Sequence, residues 1–289
     1  MTDVVRTRGE LRAALAPARR AERGVGLVPT MGALHDGHRA LLRAAREQCD
    51  VVVMSLFVNP AQFGPGEDLD AYPRDEEGDL RRAKAEGVDL VYAPAAAEVY
   101  PDGFATVVEV GGALTAVLDG DPQRRGSEHF RGVTTVVAKL LNAVAPDRAY
   151  FGQKDAQQAV VIRRMVRDLD FPVEIVVVPT VRDSDGLAIS SRNVYLDAEQ
   201  RRRATAIHRA LAAAERAAGD GAASTAAALQ AARNELDAAG IEPEYLEARD
   251  AESLEPVTSF NGRRVLVAVA ARLGRARLID NVVIGGSRT

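Results

Sequence analysis

The chain has 289 residues, of which 47% are hydrophobic and 27% charged, as is ordinary for a globular protein with a large core. Its formal net charge is −4, so the composition does not favour nucleic acid as a partner. Its single cysteine excludes an internal disulfide, which fits a reducing compartment. The N-terminal sequence lacks the apolar core of a signal peptide, and no apolar run reaches the roughly 18 residues of a membrane span. We therefore predict a cytoplasmic protein without membrane contact.

Short β-rich segments alternate with helical patterns over the first two thirds of the chain. The segment at 50–59, DVVVMSLFVN, is apolar on both faces, as a buried parallel strand should be. Strand and helix following one another in this rhythm predict an α/β fold with a doubly wound parallel sheet. The predicted strands are 24–30, 50–59, 89–94, 147–152 and 173–180, and the predicted helices are 39–49, 76–88, 132–144 and 155–169.

The pattern changes after about residue 182. Two alanine-rich helices are predicted at 196–219 and 224–240, followed by strands at 243–250, 263–273 and 275–284. We therefore predict two domains, a larger one over 1–181 and a smaller α+β domain over 182–289. Turn-forming residues in TVRDSDGLAISSRN place the connection between them near 180–193.

The first candidate motif is the turn VPTMGALHDGH at 28–38, between a strand and a helix. Ligands of parallel sheets bind at the carboxyl ends of strands, where a helix N-terminus favours phosphate. Gly32 and Gly37 are expected to let the backbone approach the ligand, and His35 and His38 to supply donors that stabilise charge on a phosphate under attack. Two surface histidines or part of a metal site are the alternatives, although no further ligand lies nearby with the usual spacing.

Two later segments carry phosphate-binding chemistry. GLAISSRN at 186–193 combines two hydroxyls with a guanidinium, a set that can clamp phosphate, although a solvated serine turn would have the same sequence. In FGQKDAQQ at 151–158, Lys154 can hold a phosphate or simply be solvated. Asp155 is a candidate helix cap, and Gln157 or Gln158 could face a cleft.

A fourth segment, FVNPAQFGPGEDLDAYPR at 57–74, follows the predicted strand at 50–59. Asn59 and Gln62 are uncharged amides that can hydrogen-bond hydroxyls and carboxylates. The glycines and prolines of the segment predict a mobile loop that acts as a lid.

The set of motifs resembles a known family. The HxGH turn with a later SSR loop resembles the paired signatures of the HxGH nucleotidylyltransferase superfamily. Together with FVNPAQFGPGEDLDAYPR, HFRGVTTVVAKLLN and FGQKDAQQ, in this order from about residue 20 to 285, the set is similar to the pantothenate synthetase (pantoate–β-alanine ligase) family.

This resemblance implies a Rossmann-like N-terminal domain that binds ATP and pantoate, a small C-terminal domain that closes as a lid, and a homodimer. It also implies a two-step reaction with ATP and Mg²⁺. Pantoate attacks the α-phosphorus of ATP to form pantoyl adenylate and pyrophosphate, and β-alanine then displaces AMP to give pantothenate. The implied partners are therefore small molecules.

Site residues follow from the resemblance position by position. It implies that His38 is a proton donor and that Gln62 contacts both pantoate and β-alanine, with Gln158 a second contact for pantoate. The implied catalytic residues are His35, His38, Lys154, Ser190, Ser191 and Arg192. The implied ATP contacts are Met31, Gly32, Ala33, Leu34, His35, Asp36, Gly37, His38, Gly152, Gln153, Lys154, Asp155, Val181, Ile189, Ser190, Ser191 and Arg192.

The sequence departs from the family pattern at several positions. Ile189 replaces a common methionine, and Gln153 replaces a frequent glutamate, which removes one negative charge. The loop before His129 cannot be aligned with the family's arginine. Asp79 matches one of two acidic positions associated with Mg²⁺, but Gly78 stands at the other.

Two other functions compete with the ligase. A nucleotidylyltransferase that stops at a nucleotidyl product would not need Gln62 and Gln158, which suit a small acid. A nucleotide-sensing or RNA-binding module would not need the complete HDGH, GQKD and ISSR sets, and would favour a basic stripe.

Overall fold

The computed structural model describes residues 2–64, 69, 72–219 and 224–285. Its strands are β1 (Asp3–Val5), β2 (Val25–Thr30), β3 (Val51–Leu56), β4 (Leu90–Tyr92), β5 (Arg148–Gly152), β6 (Glu174–Val178), β7 (Pro243–Asp250), β8 (Val265–Leu273) and β9 (Ala276–Ile284). Its helices are α1 (Arg8–Arg20), α2 (Asp36–Gln48), α3 (Glu76–Ala85), α4 (Ala96–Val99), α5 (Ser127–Val144), α6 (Ala156–Asp168), α7 (Ala198–Gly219) and α8 (Thr225–Ala238).

Every strand and helix predicted above is present, which confirms the alternating α/β pattern. The sequence analysis missed β1 and α1 at the N-terminus. Helix α1 begins with a capping box, in which the Glu10 N–H donates to the Thr7 hydroxyl and the Thr7 N–H donates to the Glu10 carboxylate. The Thr-x-x-Glu spacing was therefore a usable signal.

Six parallel strands of the described residues form one sheet in the order β1-β4-β3-β2-β5-β6. Strand β2 lies between β3 and β5, so the strand order reverses there. In doubly wound sheets a ligand binds at the carboxyl ends of the strands at such a switch point. The HDGH turn directly follows β2, which places it at this position.

The central strands of the sheet are buried on both faces, as their apolar sequences predict. In β3, Val51 and Val53 pack with α1 and α5 in one core, whereas Val52 and Met54 pack with α2 in a second. The alternation follows from the two-residue period of a strand. This double burial gives the strand ends, and the turns that follow them, a rigid base.

The chain divides into two compact units, one of Met1–Gly152 with Val161–Pro179 and the other of Gln153–Val160 with Thr180–Thr289. In the second unit, β7-β8-β9 form an antiparallel sheet that packs against α7 and α8 around its own core. Among the helices of the described residues, none has both the length and the apolarity needed to cross a membrane.

Candidate active site

The HDGH turn brings its two histidines into contact. His35 is the N-cap of α2, in extended backbone, and its ring stacks on that of His38 with centroids 4.0 Å apart. The main-chain N–H of His35 donates to Nδ1 of His38 at 3.3 Å. Because Nδ1 of His38 accepts this bond, the proton of its neutral ring lies on Nε2, which leaves Nε2–H as a donor.

Gly37 makes room for this stacking. A Cβ at position 37 would lie 2.9 Å from Cε1 and 3.0 Å from Nδ1 of His35. The sequence analysis expected Gly37 to let a ligand approach the backbone. That expectation stays a prediction, and the structure adds a second role for the glycine, since any side chain there would displace the His35 ring.

Asp79 holds the turn that precedes the histidines. Its side chain is buried at the start of α3, and its two carboxylate oxygens accept the N–H groups of Ala33 and Leu34, each at 2.8 Å. Gly32 and Ala33 both have left-handed backbone, with φ of 86° and 50°, so the chain needs support here. The two charge-assisted bonds from Asp79 supply that support.

The same two hydrogen bonds occupy the oxygens with which Asp79 was predicted to contact Mg²⁺. Both oxygens already bind main-chain N–H groups, and the Arg82 guanidinium lies 3.6 Å from Oδ1. Within the described ranges, no group of three or more acidic, histidine or cysteine side chains is placed to hold a metal. The described residues therefore do not form a Mg²⁺ site of their own, and a contact of Asp79 with an Mg²⁺ ion that arrives with ATP stays a prediction.

Gln62 lies at the end of a short 3-10 turn, Pro60–Gln62, that follows β3. Its Nε2 donates to Sδ of Met31 at 3.0 Å, and its Oε1 accepts from Nδ2 of Asn59 at 3.1 Å. The structure thus brings the predicted pantoate contact against the first residue of the predicted ATP-binding turn. Residues 65–68, 70 and 71 of the predicted lid lie outside the described residues.

Asn59 is the buried centre of this turn. Its Nδ2 also donates to the carbonyl of Gly132 on α5, and its Oδ1 accepts from the Tyr100 hydroxyl at 2.7 Å. Burial raises the pKa of Tyr100 to about 12, which keeps the hydroxyl protonated as a donor. The sequence analysis did not identify Tyr100, since a lone tyrosine far along the chain carries no local signal.

Helix α5 packs against the Gln62 turn through His129 and Gly132. Nε2 of His129 lies 3.1 Å from the Arg125 guanidinium, which can only donate, so Nε2 accepts. Nδ1 of the same ring then donates to the Gln62 carbonyl at 2.8 Å. A Cβ at Gly132 would lie 2.1 Å from the Ala61 carbonyl oxygen, so the turn sits directly on the helix. Arg125 therefore lies in the loop before His129, which could not be aligned with the family's arginine, and it donates to the His129 ring.

The GQKD segment carries a second set of predicted site residues, of which Gly152 ends β5 in the first unit and 153–155 belong to the second unit. Gln153–Asp155 make a 3-10 turn before α6, and Nζ of Lys154 lies 3.6 Å from a carboxylate oxygen of Asp155. Gln158, in the first turn of α6, is partly exposed, whereas the neighbouring Gln157 is buried.

The third predicted phosphate segment is a hairpin followed by a 3-10 turn. The N–H of Ile189 donates to the Val181 carbonyl at 3.0 Å, which joins two predicted ATP contacts. The Ser190 hydroxyl accepts the N–H of Arg192 at 3.3 Å and so caps the turn Ser191–Tyr195. Most of the predicted site residues therefore fall into two sets. Met31–His38, Gln62 and Asp79 belong to the first unit, and 153–155, Gln158, Val181 and 189–192 to the second.

Comparison with known proteins gives consistent matches over nearly the whole chain. The model of the family Pantoate-beta-alanine ligase matches residues 3–283. The pantothenate synthetase of Moorella thermoacetica is 54% identical over 283 residues, 98% of each chain. That of Dinoroseobacter shibae is 55% identical over 287 residues, 99% of this chain and 100% of the relative.

Solved structures agree with these matches. The pantothenate synthetase from Thermus thermophilus superimposes with a TM-score of 0.90 and 52% identity, over 98% of this chain and 99% of that one. The pantoate–β-alanine ligase from Francisella tularensis, solved in complex with "Beta-gamma ATP" and β-alanine, gives a TM-score of 0.79 and 30% identity over 98% of both chains.

The parallel sheet with its switch point at β2, and the small antiparallel sheet of the second unit, define a doubly wound α/β protein with an added α+β unit. Relatives that are more than half identical along almost the entire chain extend the assignment from the fold to the family. The chain belongs to the pantoate–β-alanine ligase family, whose members are ligases.

Proposed function

We propose that this protein condenses (R)-pantoate with β-alanine to form pantothenate, and converts ATP to AMP and pyrophosphate through a pantoyl adenylate. The observation that carries the proposal is the family match over residues 3–283, with relatives above 50% identity. The Francisella tularensis neighbour, solved with an ATP ligand and β-alanine, supports the choice of substrates.

In the first step, a carboxylate oxygen of pantoate attacks the α-phosphorus of ATP, and the bond to the bridging oxygen of pyrophosphate breaks. Negative charge grows on the phosphate oxygens, so donors aimed at them lower the barrier. Nε2–H of His38 is one such donor, because its Nδ1 accepts a main-chain bond. Lys154 and Arg192 add positive charge, and Ser190 and Ser191 add hydroxyl donors.

In the second step, the amine of β-alanine attacks the acyl carbon, and AMP leaves with the C–O bond electrons. A carboxylate alone would not react, since oxide is a poor leaving group. We assign Gln62 to contact both pantoate and β-alanine, and Gln158 to contact pantoate. Among the described residues, Nε2 of Gln62 donates to the weak sulfur acceptor of Met31, which a substrate oxygen can readily replace.

Mg²⁺ belongs to the proposal as an ion that accompanies the ATP phosphates, as is usual for a cation that keeps most of its waters. We further propose that residues 1–181 and 182–289 act as the two functional domains, with the second as the lid. Homodimerisation and a cytoplasmic location complete the proposal, and analytical ultracentrifugation and cell fractionation test them.

Product analysis tests the chemistry. With ATP and pantoate alone, the purified protein should release pyrophosphate in at most a stoichiometric burst, and AMP and pantothenate should appear only after β-alanine is added. Steady pyrophosphate release without β-alanine, with AMP retained in a nucleotidyl product, would point to the nucleotidyl-transferring alternative. Binding of ATP without any pyrophosphate release would point to the sensing module.

A further inference from the structure

Two consecutive polar residues interrupt the apolar strand β9. Asp280 and Asn281 are 3% and 5% exposed, and they pair in register with Val269 and Ala268 of β8. Their side chains point to opposite faces of the strand. Buried polar groups in a strand are costly unless they are fully hydrogen-bonded, so their partners explain why they are tolerated.

Asn281 binds the segment that carries Lys154. Its Nδ2 donates to the carbonyls of Gln153 and Lys154, at 2.9 and 3.0 Å, and its Oδ1 accepts from Nε2 of Gln153 at 2.7 Å. Both hydrogens and the oxygen of this amide are thus engaged on two adjacent residues. The amide of Gln153 supplies an N–H that glutamate could not, which gives a physical reason for this departure from the family pattern.

Asp280 binds the segment that leads to Ser190 and Arg192. Its carboxylate forms a bidentate pair with Arg182, at 2.6 and 3.0 Å, and accepts the N–H of Asn281 at 2.8 Å. The Arg182 guanidinium also donates to the Gly186 carbonyl at 3.2 Å, inside the hairpin. Asp280 therefore fixes the hairpin whose last pair, Val181 and Ile189, precedes the two serines.

We propose that Asp280 and Asn281 are a pair of positioning residues that hold Lys154 and the Ser190–Arg192 turn at a fixed spacing on one strand. The proposal rests on the proposed function, in which both segments contact the phosphates of ATP. Because Asp280 and Asn281 are neighbours on a hydrogen-bonded strand, the distance between the two segments is fixed before adenylation begins. Donors that need not move during the reaction stabilise developing charge best.

The variants Asn281→Asp and Asp280→Asn test this role with little change in volume. Asn281→Asp replaces the two donated bonds by repulsion between a carboxylate and two carbonyls. Asp280→Asn removes the charge that orients Arg182. Matched controls are Asn234→Asp and Asp237→Asn, because both residues are exposed on α8 in the same unit.

Two measurements separate positioning from general destabilisation. The first is single-turnover pyrophosphate release as a function of ATP concentration, and the second is hydrogen exchange of the amides at 153–160 compared with those of α8. We expect Asn281→Asp to lower the rate at saturating ATP by about tenfold or more and to speed exchange at 153–160 but not in α8. We expect the controls to match the wild type in both measurements.

If Asn281→Asp does not fold, Gln153→Ala tests the same contact. It deletes one bond of the same contact, so we expect a smaller fall in rate in the same direction, with faster exchange confined to 153–160. Unchanged exchange there, or a rate within twofold of the wild type for the folded variants, would overturn the positioning role. If the wild-type protein releases no pyrophosphate with pantoate, the proposed function is refuted instead. Hydrogen exchange at 153–160 would still show whether Asn281 holds this segment.

Discussion

Replacing Asp79 by asparagine should loosen the turn that leads into the HDGH motif. The carboxylate accepts the main-chain N–H groups of Ala33, whose backbone is left-handed, and of Leu34, which follows it. Asparagine keeps one acceptor oxygen and turns an NH₂ group towards the other N–H. A hydrogen bond to a charged group contributes about 1.5–3 kcal/mol, so we expect the free energy of unfolding to fall by about that amount.

Urea denaturation of the two proteins gives the stability difference, and pyrophosphate release gives its effect on the site. Glu77→Gln is the matched control, since Glu77 lies on the same helix in an exposed pair with Arg81. Such exposed pairs contribute roughly 0.3–0.5 kcal/mol, so this variant should be almost as stable as the wild type.

A free energy of unfolding of Asp79→Asn within about 0.5 kcal/mol of the wild type would refute the reasoning, because the two bonds would then carry no net stability. The Mg²⁺ dependence discriminates further. If Asp79 bound the ion, excess Mg²⁺ would restore pyrophosphate release in the variant. If Asp79 holds the turn, Mg²⁺ should leave both the rate and the stability loss unchanged.

Three further changes test other parts of the structure. His38→Ala should lower adenylate formation by roughly 10²–10³ without unfolding the protein, as expected for one lost transition-state donor, and a pyrophosphate rate within about threefold of the wild type would contradict its role. Gly132→Ala places a Cβ 2.1 Å from the Ala61 carbonyl and should cost about 1–3 kcal/mol of stability, whereas Gly9→Ala, on a helix with room, should cost none in the same urea titration. Burial and the nearby Arg182 charge lower the pKa of His208 below 6.5, so the unfolded chain takes up the proton first and stability should fall as the pH drops below about 6.5. His208→Gln should show a smaller loss between about pH 7.5 and 5.5, and an equal loss would exclude this contribution.

The central strands of the main sheet were predictable because they are buried on both faces, whereas the mostly exposed edge strand β1 was missed. The residues of β3 are apolar at every position that packs in either core, and the turn residues after β2 end the pattern clearly. The start of α5 was less predictable. Helix α5 begins at Ser127, five residues before the predicted Gly132. Its first residues were missed because polar residues at 127–129 hide the helical period, and the contact of His129 with the Gln62 carbonyl carries no local signal.

The candidate site was predictable as a set of local motifs but not as a network. HDGH, GQKD and ISSR are each continuous in sequence, so each can be recognised directly as a candidate phosphate-binding motif. Asp79 acts 45 residues or more from the N–H groups it accepts, and Asn281 acts 127 residues or more from its partners. No spacing rule connects such residues, because the contact depends on how the chain folds in three dimensions.

The amide network around Asn59 has a single direction of donation, and main-chain groups set it. The Ala61 N–H can only donate to Asn59 and the Gly132 carbonyl can only accept from it, so the two ends of the Asn59 amide cannot exchange. Nδ2 of Asn59 must therefore face Oε1 of Gln62, which turns the NH₂ end of Gln62 towards Met31. If Gln62 contacts the substrates as proposed, the turn presents a hydrogen to them, which favours oxygen atoms that accept, such as those of a carboxylate, and disfavours an ammonium group at the same point.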